Sequence, residues 1–245
     1  MNIRTATRRH RYLLGRYFRD YVIPGHRRRR AMRVFFGKSF SLGDIDKRLM
    51  AFLSADGGYF IELGANDGVS QSNTYLLEAR HGWRGLLVEA VPHLYMQCKH
   101  NRSPQNDYCH AAAVDFDYPG RFVEMHYSGL MTVGETSALD IEHHARDGVE
   151  FLGDGEEVIR FGAPARTLTS ILDEVEAPRR IDFVSLDVEG AELSVLGGID
   201  FERYSFGFLL IETGDFDGVA AMLAKKGYGL VQVFSAHDYL FAPGA

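Results

Sequence analysis

Four short apolar runs in this chain each end in a carboxylate, and that placement is what could do chemistry. Phe60-Ile61 leads into Glu62 and then through Leu63-Gly64-Ala65-Asn66-Asp67-Gly68. Some 20 residues past that loop, Leu86-Leu87-Val88 ends in Glu89. Later, Val184-Ser185-Leu186 runs into Asp187-Val188-Glu189, and Phe208-Leu209-Leu210-Ile211 ends in Glu212. Glycines let a backbone turn sharply and let a ligand approach with no Cβ in the way. The helix expected after such a loop offers unpaired N–H groups at its start. An acid at the end of the next strand accepts hydrogen bonds from both hydroxyls of a ribose. In open α/β sheets ligands sit outside the carboxyl ends of the strands, so these acids would share one crevice.

The type of nucleoside follows from charge. In a dinucleotide loop, G-x-G-x-x-G, the second glycine admits a pyrophosphate. Here Asn66 stands at that position and Asp67 follows, so a phosphate would meet acids. No G-x-x-x-x-G-K-[ST] string for ATP occurs either. S-adenosylmethionine (SAM) has no phosphate and carries a sulfonium and an ammonium. Glu62 and Asp67 suit that cation, and Glu89 suits its ribose.

Methyl transfer from SAM is an in-line displacement at carbon, so an enzyme chiefly brings the acceptor oxygen up to the methyl. An alcohol acceptor also needs a base or a metal for its proton. Asp187 is expected beside the methyl donor, with Glu189 and Glu212 on the acceptor side. The ordinary alternative is that one of these acids caps the helix starting near Ala191. Asp187, Glu189 and Glu212 together could also hold Mg²⁺, which prefers oxygen ligands. Among ten histidines, His143 and His144 are the base candidates, because they lie in a segment expected to cover the site.

The elements that must position these groups alternate regularly. Strands are predicted at 59–63, 84–91, 108–114, 181–188 and 206–211, with helices at 44–53, 71–80, 93–101, 191–196 and 219–226. Strands alternating with helices imply a Rossmann-like α/β fold: a mostly parallel sheet with helices on both faces. Two last strands, 229–234 and 237–241, form a hairpin that would give the sheet an antiparallel edge. Residues 115–165 break the rhythm and read as an insertion, a lid or binding loop. Trp83 reads as a packing residue.

Charge divides the chain. Residues 1–38 hold twelve of its 27 Lys and Arg and one of its 33 acids, so the acidic remainder overrides them to a net −6. We therefore expect a basic helical arm, 1–43, and a SAM-dependent methyltransferase domain, 44–245. The arm has three readings, in order: packing on the domain or on a second subunit of a homo-oligomer, peripheral contact with a membrane surface, or contact with nucleic acid. No apolar run approaches the length that spans a bilayer, and arginines interrupt every short apolar stretch near the start. The expected location is the cytoplasm, peripheral at the membrane if the arm binds lipid. Cys98 and Cys109 form no CxxC pair; reduced thiols are expected, with a disulfide between them left open.

Three blocks resemble the FkbM family of SAM-dependent methyltransferases: Phe60-Ile61-Glu62-Leu63-Gly64-Ala65-Asn66-Asp67-Gly68-Val69-Ser70-Gln71-Ser72-Asn73-Thr74, Leu87-Val88-Glu89-Ala90-Val91-Pro92, and Ile181-Asp182-Phe183-Val184-Ser185-Leu186-Asp187-Val188-Glu189-Gly190-Ala191-Glu192. Many relatives have lysine where this chain has Ser185, so any role of that lysine does not transfer. The resemblance implies a seven-stranded methyltransferase sheet and O-methylation of a sugar, glycan or natural-product hydroxyl. The expected cofactor wall is then Glu62, Gly64, Ala65, Asn66, Asp67, Gly68, Asn73, Glu89, Ala90, Ala112 and Asp187. A ribose or RNA-cap methyltransferase and a non-catalytic binding module are the alternatives.

Overall fold

A computed structural model describes residues 37–54, 56–152 and 157–244. The proposed basic arm falls almost wholly outside the described residues, and with it the membrane, nucleic-acid and oligomer readings. Residues 39–43, expected in the arm, pack on the domain: Phe40 is buried against Tyr75, ring centroids 4.6 Å apart. Its backbone N–H donates to the Asp46 carboxylate at 2.7 Å.

Seven strands form the main sheet: β1 (Tyr59–Leu63), β2 (Arg84–Glu89), β3 (Asp107–His110), β8 (Arg180–Leu186), β9 (Ser205–Glu212), β10 (Tyr228–Val233) and β11 (Asp238–Pro243). Their order is β10-β11-β9-β8-β1-β2-β3. The five strands from β9 to β3 run parallel, while β11 is antiparallel to both β9 and β10. The C-terminal hairpin thus gives the sheet its antiparallel edge, as expected, with β11 one place in and β10 at the rim. The hairpin folds back so that its second strand inserts against β9 and its first becomes the rim.

Side-chain alternation along β1 divides the core into two layers. Tyr59, Ile61 and Leu63 face one layer with Leu86, Val88, Val184 and Leu186. Phe60 faces the other, with Leu77, Trp83, Leu87 and Phe183. Glu62 is two residues from Phe60 and therefore points into that second layer, toward the helices. Those helices are α1 (Ile45–Arg48), α2 (Tyr75–His81) and α3 (Pro92–Asn101). The first two are shorter than their spacing suggested. 3-10 turns flank α1 on both sides, and residues 71–74 form a loop ahead of α2 whose polar groups serve Glu62. Trp83 is buried, as a packing residue should be, and its indole donates to the Ser54 carbonyl at 3.3 Å. Cys98 and Cys109 are both free thiols.

The expected strand 108–114 is two strands. After β3 the chain breaks at Ala111, and β4 (Ala112–Ala113) joins a second sheet with β5 (Phe122–Tyr127), β6 (Val133–Gly134) and β7 (Ile159–Arg166). The insertion is therefore a small sheet with its own core of Val114, Val123, Met125 and Ala163, not a loop. It also carries α4 (Ile141–Asp147) and leads into α5 (Leu168–Glu174). The remaining helices are α6 (Glu192–Gly197) and α7 (Phe216–Ala224). Among the described residues no helix is long and apolar enough to cross a membrane.

Candidate active site

The tips of β1, β2, β8 and β9 open onto one cavity of about 310 Å³, roofed by the insertion. Such a volume is in the range of small-molecule sites. Glu62, Gly64, Ala65, Asn66, Asn73, Glu89, Ala90, Ala112, Asp187, Glu189 and Glu212 all line it.

Gly64 starts the turn with φ +78, in the left-handed region. Asn66 follows at φ +51, a conformation asparagine tolerates better than most residues. Its backbone N–H donates to Glu89 at 2.7 Å, and the Val91 N–H donates to the other Glu89 oxygen at 2.7 Å. Those two amides fix the carboxylate between the β1 and β2 tips and leave it further acceptor capacity. Burial pushes Glu89 up to about 7, against the partial relief of these backbone hydrogen bonds.

Glu62 has a different role from the one expected. It accepts from Ser72 Oγ at 2.9 Å, the Asn73 N–H at 3.0 Å, Thr74 Oγ1 at 2.7 Å and Arg102 Nη1 at 3.1 Å. A carboxylate has roughly four acceptor sites, so these partners occupy it and a ligand cation finds none free. Arg102 also donates to Glu78 at 2.8 Å and to the Gly68 carbonyl at 3.0 Å, while its guanidinium lies over the Phe60 ring. Burial opposes its charge, but Glu62 and Glu78 outweigh that and push its pKa up. Glu62 and Arg102 together fold the loop over β1. Nothing in the local sequence around Arg102 marks it; only the fold brings it to Glu62.

Asp67 and Gly68 also depart from expectation, since neither lines the cavity. Asp67 accepts from the Val69 and Ser70 N–H groups at 2.8 and 2.7 Å, closing the turn on itself. A β-carbon at Gly68 would press on Cys98 and Arg102, so this glycine admits α3 rather than a ligand. Asn73 bridges two strands: its backbone meets Glu62, and its Nδ2 donates to Ser185 Oγ on β8 at 3.0 Å.

The far end of the cavity is acidic. Burial, then the neighbouring Glu212 and Glu189, push Asp187 well above the ordinary carboxylate range. Burial, then Glu212 and Glu192, push Glu189 up to about 7. Glu212 is raised for the same reasons, burial and then Asp238. The helix-cap alternative is not met: α6 has no side-chain cap hydrogen bond, and Glu192 in its first turn accepts from the upstream Gly190 N–H at 2.8 Å. Among the described residues no group of three or more His, Cys, Asp or Glu side chains is arranged to hold a metal ion. Asp187, Glu189 and Glu212, the acids considered for Mg²⁺ from sequence, do not form such a group.

The two candidate histidines face opposite ways. His143 points to solvent, 68% exposed, beside Asp147 at 3.2 Å, and does not reach the cavity. His144 turns inward, with Nε2 at 3.1 Å from Glu189 Oε2, but it does not line the cavity either. Sequence could not separate them, because adjacent residues on a helix point about 100° apart and only packing selects which faces in. Sequence reasoning also missed the insertion's contribution to the wall, Met125, Met131, Thr132 and Thr136.

A family profile described as a methyltransferase FkbM domain matches residues 62–230. No curated protein matches the sequence. Among solved structures the chain is similar to a TehB-like SAM-dependent methyltransferase from Corynebacterium glutamicum, at 12% identity over 89% of this chain and 96% of that one, TM-score 0.40. It is also similar to a precorrin-6y C5,15-methyltransferase from Geobacter metallireducens, at 12% over 82% and 88%, TM-score 0.41. A third is TYW2 of M. jannaschii in complex with AdoMet, at 12% over 85% and 78%, TM-score 0.36.

Proposed function

The chain belongs to the FkbM methyltransferase family, and from that premise we propose that it transfers the methyl of SAM to a hydroxyl oxygen of an uncharged sugar, glycan or natural-product acceptor. The observation that carries this reading is the charge of the cavity wall. Five carboxylates line it, Glu62, Glu89, Asp187, Glu189 and Glu212, and among the described residues no lysine, arginine or histidine does. Glu62 has an internal cation, Arg102. A cationic nucleoside fits such a wall, and an anionic ligand would find no counter-charge.

Glu89 would accept from the ribose hydroxyls, next to the small side chains of Ala90 and Ala112. Asp187 would face the cation. Bound SAM supplies a methyl on a sulfonium, a leaving group that needs no activation. The chain's own work is to hold the acceptor hydroxyl in line and to take its proton. Glu189, pushed up to about 7, has a proton affinity suited to a base near neutral pH. Glu212 shares that side of the cavity and would orient the acceptor's other hydroxyls. RNA as acceptor, the reading raised by the basic segment 1–38, would bring phosphates toward this acidic wall.

Calorimetry of SAM binding to the full chain and to Glu89→Ala tests the cofactor site. Affinity should fall by about ten-fold or more in the variant, the loss of charge-assisted hydrogen bonds. Equal affinity in both, or no heat with the parent chain, removes the assignment. Transfer of labelled methyl from SAM to a panel of neutral polyols and sugars, with RNA as the contrasting arm, tests the acceptor class.

A further inference from the structure

We infer that His144 is a positioning residue for Glu189: its Nε2–H orients the Glu189 carboxylate, and the insertion is thereby part of the catalytic machinery. This rests on Glu189 as the base proposed above.

Glu189 occupies a strained turn. Its φ is +52, in the left-handed region that non-glycine residues seldom adopt, and Gly190 follows at +87. Such a conformation persists only where the surroundings hold it. The insertion holds it here. Ser137 Oγ donates to the Glu189 carbonyl at 2.7 Å, and the Ala138 N–H donates to the Gly190 carbonyl at 3.1 Å. A β-carbon on Gly190 would collide with Ser137 and Leu139, so the two segments meet without slack. Asp140 then caps α4 by accepting from the His143 N–H at 3.1 Å, and the helix delivers His144 to the same turn.

Nε2 of His144 is buried and makes no hydrogen bond among the described residues, although Glu189 Oε2 is 3.1 Å away. The distance is right and the direction is not. The pair is poised rather than made, as catalytic hydrogen bonds often are before the ligands are in place. Burial keeps the imidazole below its ordinary pKa, so at neutral pH it is an uncharged donor. A small rotation of the ring aims Nε2–H at one Glu189 oxygen and leaves the other for the acceptor. In the transfer, the acceptor O–H breaks as its O–C bond forms and the S–C bond of SAM breaks. The proton ends on Glu189 and the donor leaves as a neutral thioether. The charged groups around the pair are Asp187, Glu192 and Glu212 toward Glu189, and Asp147 and His143 on the helix of His144.

The test is an NMR titration of the full chain with ¹³C-labelled histidine and glutamate side chains, without any methyl donor. In Glu189→Gln the His144 ring signals should lose the step that follows the Glu189 titration near pH 7 in the parent chain. In His144→Leu the Glu189 midpoint should rise by about one pH unit, and in His144→Gln, which keeps an N–H donor, it should return toward the parent value. On the acceptor found by the panel, the acid limb of kcat should move to higher pH in His144→Leu and back in His144→Gln. Independent midpoints, or an unmoved limb, overturn the inference. Because the titration needs no SAM, missing SAM binding would sink the methyltransferase reading and leave the coupling measurable. Uncoupled midpoints would sink the pair with SAM binding intact.

Discussion

Gly64 lies so close to Asp187 that a β-carbon on the glycine would overlap the Asp187 carbonyl oxygen. The Asp187 N–H donates to the Leu63 carbonyl at 3.2 Å, so the tips of β1 and β8 are locked together at this point. The nucleoside end of the cavity and its acidic end are thereby held in fixed register. Gly64→Ala should cost about 2–4 kcal/mol, from the left-handed backbone and the overlap together. Urea denaturation should show a lower midpoint with an unchanged slope. A midpoint equal to the parent's would mean that the two tips are not in contact.

Arg102 is buried between two glutamates, and breaking a buried ion pair leaves an uncompensated charge. Arg102→Ala should lose about 3–5 kcal/mol of stability. Arg102→Lys should recover little of it, since an ammonium cannot make the forked contacts to Glu62, Glu78 and Thr74. Thermal unfolding of both variants checks this, and parity of the lysine variant with the parent chain would contradict it.

Glu89 and Glu189 are both pushed up to about 7 by burial. Their folded values lie above the unfolded value near 4.5, so the folded chain binds more protons between those limits. The sign is therefore a loss of stability as pH rises from about 4.5 to about 7, with no further change from these groups above. A cation bound among these acids favours their charged forms, so SAM binding near pH 6 should release protons. Calorimetry in buffers of different ionisation enthalpy measures the number directly. Proton uptake, or none, would place the cation elsewhere.

Asp187 is held far above its ordinary pKa by burial and by Glu212 and Glu189. Removing its charge relieves that repulsion. At a pH high enough to ionise Asp187 in the parent chain, Asp187→Asn should raise Tm by a few degrees, on the order of 1 kcal/mol, while SAM affinity falls by about ten-fold through loss of the facing charge. A variant that is less stable and binds SAM unchanged would reverse the role assigned to Asp187.

Most of the main sheet was legible because its strands are apolar runs buried on both faces, punctuated by acids and glycines. β1 was placed to the residue, and β2, β8 and β9 to within a residue or two, since their periodicity is dictated by the layers they separate. The insertion was not legible. Its strands are short and half exposed, and its core of Val114, Val123, Met125 and Ala163 is assembled from segments some 50 residues apart. The position of β11 inside the rim was hidden as well, because both orders of a hairpin have the same local pattern.

By itself the sequence determined that carboxylates stand at strand ends around a glycine turn. Strand alternation and turn chemistry are local, and they follow from residue type and spacing. Only the tertiary structure decided which carboxylates remain open to a ligand. Glu62 meets Arg102 from 40 residues away and is closed off, Asp67 folds back on its own loop, and Glu89 keeps capacity to spare. It also decided that His144 and not His143 reaches Glu189. The physical reason is that a side chain's partners are set by packing across the chain, which neighbours in sequence do not encode.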